Sequence, residues 1–148
     1  MKIADMLSAR DVIRLTPPDK GRLLRALSLH AAERLGLSET TVGRALAERE
    51  RLGSTGIGDG IALPHARLGD VRHPFGLFAA LTKPIGFGAV DDRPVDLVFL
   101  LILPAHVPED QLRCLACVAR RFREPGLPEA LREVAETSRL YQLLTTDR

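Results

Sequence analysis

Val95 to Leu103, VDLVFLLIL, carries one charge in nine residues, and it limits the fold more than any other stretch of the chain. A run this short and apolar, rich in strand-favouring residues, reads as a buried strand, and buried strands need cover. FGLFAAL, from Phe75 to Leu81, has the same character, and prolines or polar residues border both runs. Helices supply the cover. After the turn-like TPPDKG, Arg22 to Leu35 places Leu24, Leu27, Ala31 and Leu35 near one helical stripe, with Gly36 to end it. Ser38 suits the N-cap of a second helix with Val42, Ala45, Leu46 and Arg49 at helical spacing as far as Gly53. Pro108, Glu109 and Asp110 suit the first turn of a third, predicted to turn Leu112, Leu115, Ala116, Ala119 and Phe122 inward. Leu131 with Val134, and Leu140 with Leu143 and Leu144, predict shorter helical pieces. The chain therefore reads as α/β, a sheet covered by helices.

With no internal repeat, long linker or low-complexity tract, 148 residues at 45% apolar content predict one domain over residues 1–148. No apolar run approaches the roughly 20 residues needed to cross a bilayer, and MKIADMLSAR lacks the apolar centre of a signal peptide, so a cytoplasmic protein is expected. Basic and acidic residues, 21 and 19, nearly cancel, and only 4% of residues are aromatic, which argues against a nucleic-acid partner. Cys114 and Cys117 form a lone C-x-x-C inside a predicted helix, without a second pair or a histidine at zinc-ligand spacing. A metal site is not signalled, and thiols away from a helix N-terminus are not activated for redox chemistry.

The chemistry concentrates in GSTGIGDGIALPHARL, Gly53 to Leu68. Gly56, Gly58 and Gly60 permit positive φ and close backbone approach, a potential cradle for an anion. The stretch is no Walker loop, having no terminal lysine followed by serine or threonine, and no dinucleotide turn, lacking the long helix that would follow. GSTG does not match the nucleophile elbow of serine hydrolases, so Ser54 reads as a turn hydroxyl. Pro64 restrains the backbone beside His65, and Ile61 to Leu63 supplies an apolar strand to steady the ring. A neutral imidazole is a competent nucleophile near pH 7, and a phosphoryl group arriving beside glycine N–H groups and an arginine would meet suitable donors. These residues alone leave open a histidine that only hydrogen-bonds within a turn, and acid/base or metal roles.

RERLGSTGIGDGIALPHARL resembles the active-site segment of the nitrogen-type enzyme IIA proteins of the bacterial phosphotransferase system, relatives of the fructose and mannitol IIA domains. The resemblance continues through LTKPIGFGAVDDRPVDLVFLLILPA, residues 81–105, into the helix from Pro108. It implies a single type-2 IIA domain with a mixed β-sheet flanked by helices. It also implies a phosphohistidine carrier rather than a free-standing turnover enzyme, taking a phosphoryl group from a phosphorylated HPr-like protein in a relay that starts at phosphoenolpyruvate, without a cofactor. His65 matches the family's phosphorylated histidine and Arg49 its arginine before the G-S-T-G turn, although AERER is also the kind of charge run that faces water. Thr55 is a further candidate for steadying phosphate. Many members carry a second histidine in an H-L-x-x-L pattern; here QLRCL places Gln111 there, which donates a hydrogen bond but carries no charge. That departure keeps a second expectation, a IIA-like binding module with weak or no phosphotransfer. The implied output is regulatory, with targets such as potassium-transport components or sensor kinases that distinguish the two phosphorylation states. His30, His73 and His106 read as structural or solvated, and Arg113, Arg120, Arg121 and Arg123 as a solvated face or a docking surface.

Overall fold

The computed structural model describes residues 1–146. Its six-stranded sheet is built around β6 (Val95–Pro104), which pairs antiparallel with β5 (Phe75–Ile85), itself parallel to the edge strand β1 (Leu7–Leu15). On its other flank β6 meets two short strands in succession. β3 (Ile61–Ala62) lies parallel to Leu97 and Val98, and β4 (His65–Leu68) parallel to residues Leu101 to Pro104. Leu63 and Pro64 interrupt the ladder between them, so His65 is the first residue after the break. β2 (Gly56–Gly58) closes the sheet as an antiparallel hairpin with β3.

Period-two alternation divides β6 between two cores. Leu97, Phe99, Leu101 and Leu103 face α3 (Pro108–Phe122), α4 (Leu127–Glu133) and α5 (Thr137–Thr145). Val98, Leu100 and Ile102 face α1 (Lys20–Leu35) and α2 (Glu39–Leu52). The run VDLVFLLIL is apolar on both faces because helices cover both. Phe122 anchors α3, its ring stacked on Phe78 at 6.1 Å and edge-on to Phe99 at 6.3 Å between centroids.

The helix caps form as the sequence predicts at Ser38, whose hydroxyl accepts from Thr41 N at 3.2 Å, and at Gly36, whose φ of 68° ends α1. Helix α1 starts earlier than its apolar stripe implies, because Asp19 caps it by accepting from Arg22 N at 2.8 Å. Its buried line is Leu23, Leu27 and Ala31, leaving Leu24 and Leu35 at the margin. The face of α3 also differs from the expectation. Cys114, Val118 and Phe122 are buried, Leu115 and Ala119 flank them, and Leu112 and Ala116 are exposed. The i, i+4, i+8 line through the cysteine follows the sheet, and the first turn of α3 leaves Leu112 76% exposed.

Candidate functional site

GSTGIGDG folds as a hairpin. Asp59 (φ 58°) and Gly60 (φ 79°) form its two-residue turn, both in the left-handed region that a type I′ turn demands. Gly60 O accepts from the N–H groups of Asp96 and Leu97, each at 3.0 Å, tying the turn to β6. Gly56 is required by proximity: a Cβ there would lie 2.7 Å from Ala89 Cβ and 3.0 Å from Ala89 Cα. Its N–H donates to Ser54 Oγ at 3.1 Å, and Ser54 Oγ donates to Phe87 O at 2.9 Å. The glycines thus serve the turn and a close backbone approach.

The hairpin delivers the chain to Leu63, whose N–H donates to Thr55 O at 3.0 Å, and then through Pro64 to His65 on β4. In parallel register with Leu101, His65 projects toward the α3 face of the sheet, as does Arg67, while Ala66 packs toward α2. His65 is 7% exposed. Its Nδ1 lies 2.9 Å from Leu63 O, and a carbonyl only accepts, so Nδ1 carries the proton. Arg49 Nε donates to Nε2 at 3.3 Å, which places the lone pair on Nε2. Two independent contacts therefore select one neutral tautomer with Nε2 as its nucleophilic atom. Burial is the largest influence on its pKa and pushes it below the ordinary imidazole value; the charge of Arg49 pushes the same way, against the Leu63 hydrogen bond and Glu50.

Arg49 lies in the last turn of α2, and its Nη1 donates to Gly53 O at 3.0 Å. A neighbouring network fixes that turn. Glu50, its side chain 7% exposed, accepts from Thr55 N at 3.2 Å, from the Thr55 hydroxyl and from Lys20 Nζ at 2.9 Å. Lys20 also donates to Phe87 O at 3.0 Å and sits 4.1 Å from the centre of the Phe87 ring. The Thr55 hydroxyl is therefore engaged by Glu50, and Thr55 does not line the cleft that holds His65. That cleft, about 710 Å³, brings together His65, Arg49 and Gln111, with Arg51, Leu52 and Arg67 among its walls. Gln111 comes from the first turn of α3.

Thus three of the four candidate residues share one cleft, and the fourth stands behind it. The Glu50–Lys20 pair was missed by sequence reasoning, since AERER resembles a solvated run and Lys20 comes from another helix. Arg67 carried a usable signal, two residues from His65 on a strand. Among the described residues no three His, Cys, Asp or Glu side chains come together as a metal site, and no helix is long and apolar enough to span a membrane. His30 Nε2 lies 2.9 Å from buried Asp11, which also receives Arg34 Nε at 2.8 Å, so this histidine belongs to a structural cluster. Chemically, the cleft offers an uncharged nitrogen nucleophile beside a permanent cation, suited to an anionic electrophile.

Residues 6–146 match the family model described as phosphoenolpyruvate-dependent sugar phosphotransferase system, EIIA 2. A nitrogen regulatory protein of Bradyrhizobium diazoefficiens is 38% identical over 145 residues, 97% of this chain and 95% of that one. Another, from Klebsiella oxytoca, is 42% identical over 127 residues, 85% of this chain and 78% of that one. The crystal structure of nitrogen regulatory protein IIA-Ntr from Neisseria meningitidis superposes with a TM-score of 0.89 at 32% identity, covering 97% of this chain and 99% of that one.

Proposed function

The chain belongs to the EIIA 2 family of the phosphoenolpyruvate-dependent sugar phosphotransferase system, in its nitrogen-type branch, and from that premise we propose that it is a regulatory phosphocarrier phosphorylated on His65. The observation that carries the proposal is the pair of contacts on the imidazole. Leu63 O holds the proton on Nδ1, and Nε2 presents its lone pair to the cleft beside Arg49.

In the proposed step the Nε2 lone pair attacks phosphorus. The bond from phosphorus to the donor's histidine nitrogen breaks, and its electron pair returns to that nitrogen. Arg49 leaves Nε2 for the phosphoryl oxygens, where a fixed guanidinium stabilises the charge in transit. The positive charge that the phosphorylated ring gains is eased by Nδ1–H donating to Leu63 O. Gln111 supplies a neutral donor from α3, and Thr55 acts through Glu50 by holding the turn that carries Arg49. The donor is a phosphorylated HPr-like protein, the setting is the cytoplasm, and the whole chain acts as one type-2 IIA domain. The two phosphorylation states would differ by a compact negative charge at the mouth of the cleft, a sufficient change to select between regulatory targets such as a potassium-transport component or a sensor kinase.

Incubation with phosphoenolpyruvate, enzyme I and a cognate HPr-like protein, followed by intact-mass measurement, tests the reading. One acid-labile phosphoryl group is expected on the wild type and none on His65→Ala. An unlabelled wild type beside an active donor would leave a IIA-like binding module, the outcome to which the uncharged Gln111 points.

A further inference from the structure

Two sulfurs on α3 meet a third from the opposite end of the sequence. Cys114, fully buried, and Cys117, partly exposed, are separated by three residues on one helix, a spacing that makes side chains neighbours with Cβ atoms about 5–6 Å apart. Met1 lies against both. Its Sδ is 3.6 Å from Cys114 Sγ, and its carbonyl oxygen accepts from Cys117 Sγ at 3.5 Å. The turn that follows Met1 is fixed: Lys2 N donates to Asp5 Oδ2 at 2.8 Å, Met6 N donates to Ile3 O at 3.0 Å, and Ile3 is packed in the same core as Cys114. None of the three sulfur-bearing residues lines the His65 cleft, and Met1, 49% exposed, belongs to neither core.

We propose that Cys114, Cys117 and Met1 form a binding site for a soft monovalent metal ion, Cu(I). The proposal is independent of the reading of His65. Two thiolates and a thioether are donors that Cu(I) favours, whereas harder ions favour oxygen. A structural zinc site would need four ligands, and among the described residues no third His, Cys, Asp or Glu joins the pair. In a trigonal site with metal–sulfur bonds of about 2.3 Å, neighbouring sulfurs stand about 4 Å apart, so Cys114 and Met1 at 3.6 Å are already close to the required separation. A cavity of about 170 Å³ beside Met1 and Cys117 gives the ion a way in, with Cys114 behind them. On binding, each S–H bond breaks and its electron pair forms a sulfur–copper bond, while the thioether donates a lone pair. Both protons leave to solvent and no electron changes hands. The loaded site carries one net negative charge, which Arg113 near Cys114 and Arg120 near Cys117 offset against Asp110 and Asp5. A lone C-x-x-C gave no metal signal in the sequence because its third sulfur stands 113 residues away.

The test is an anaerobic titration with Cu(I) against a bathocuproine chelator, on wild type, Cys114→Ser, Cys117→Ser and Met1→Leu, the last released from a cleavable N-terminal fusion. One Cu(I) per chain is expected on the wild type, with affinity reduced about hundredfold or more in either serine variant and about tenfold in Met1→Leu. Copper-edge X-ray absorption should find three sulfurs at about 2.3 Å in the wild type and two in Met1→Leu. Cys117 is partly exposed, so Cys117→Ser decides the matter even if the buried Cys114→Ser fails to fold. No uptake by the wild type would overturn the proposal, as would an affinity that Cys117→Ser leaves unchanged. A copper shell of nitrogen or oxygen, or the same sulfur count with and without Met1, would overturn the three-sulfur site.

Discussion

Replacing Arg49 with glutamine removes the permanent charge that donates to Nε2 while leaving a side chain of similar length. The guanidinium sits 3.3 Å from the attacking nitrogen, so a phosphoryl oxygen formed there lies about 4 Å from its charge, worth about 4 kcal/mol per unit charge at an effective dielectric of about 20. Removal of one positioned donor in acyl-transfer sites costs about 2.7–4 kcal/mol, or about 10²–10³ in rate, so two independent routes reach the same scale. Folding should suffer less, because beyond the bond to His65 the substitution breaks the exposed hydrogen bond to Gly53 O, at most about 1.5–3 kcal/mol for a charged donor. The assay is single-turnover transfer from limiting phosphorylated donor, quenched in base to preserve phosphohistidine, across wild type, Arg49→Gln and Arg49→Lys. The lysine variant should fall between the other two, since it keeps the charge and lacks the planar fork. A rate for Arg49→Gln within about threefold of wild type, with unfolding midpoints matched, would refute the electrostatic role.

The proton NMR titration of His65 should show a midpoint below the ordinary imidazole value, because burial outweighs the other influences. Its stability contribution is fully present above an unfolded pKa of about 6.5 and declines as pH falls toward the lower folded value, so urea midpoints should drop on acidification, with His65→Gln as the control that lacks this component. Gly56→Ala should cost about 1–3 kcal/mol in urea unfolding, since its Cβ would meet Ala89 at 2.7 Å, and an unchanged midpoint would show that the 86–90 loop yields freely. Burial pushes the Cys114 thiol up to about 11 and raises Cys117 as well, so iodoacetamide at pH 7.5 should label the native protein far more slowly than the urea-unfolded chain.

How much of this was legible beforehand depended on the range of the interactions concerned. β6, β5 and α2 were readable because composition and local spacing determine them, and the segment that resembles a known family singled out His65 and Arg49, which the fold brings into contact. The strand β1 escaped notice: LSARDVIRL alternates poorly, with Ala9 and Arg10 exposed and Asp11 buried, and its place beside β5 is set by pairing across the chain. Asp11 is tolerated inside because Arg34 and His30 reach it from α1, which no local pattern announces. The glycine cluster illustrates a different limit. Asp59-Gly60 was a usable type I′ hairpin signal, but the same glycines also suit an anion cradle, and only the pairing of β2 with β3 separates the two. For α3 the error was one of phase. Leu112 and Ala116 are apolar, yet the line of Cys114, Val118 and Phe122 faces the sheet and leaves both exposed.

The central claim concerns one atom, so the most direct measurement is nitrogen-15 NMR of the histidine-labelled protein after phosphorylation by its HPr-like donor. A phosphorus coupling at Nε2 of His65, with Nδ1 still protonated against Leu63 O, is the predicted result. Phosphorus on Nδ1, on another histidine or on none would contradict the account.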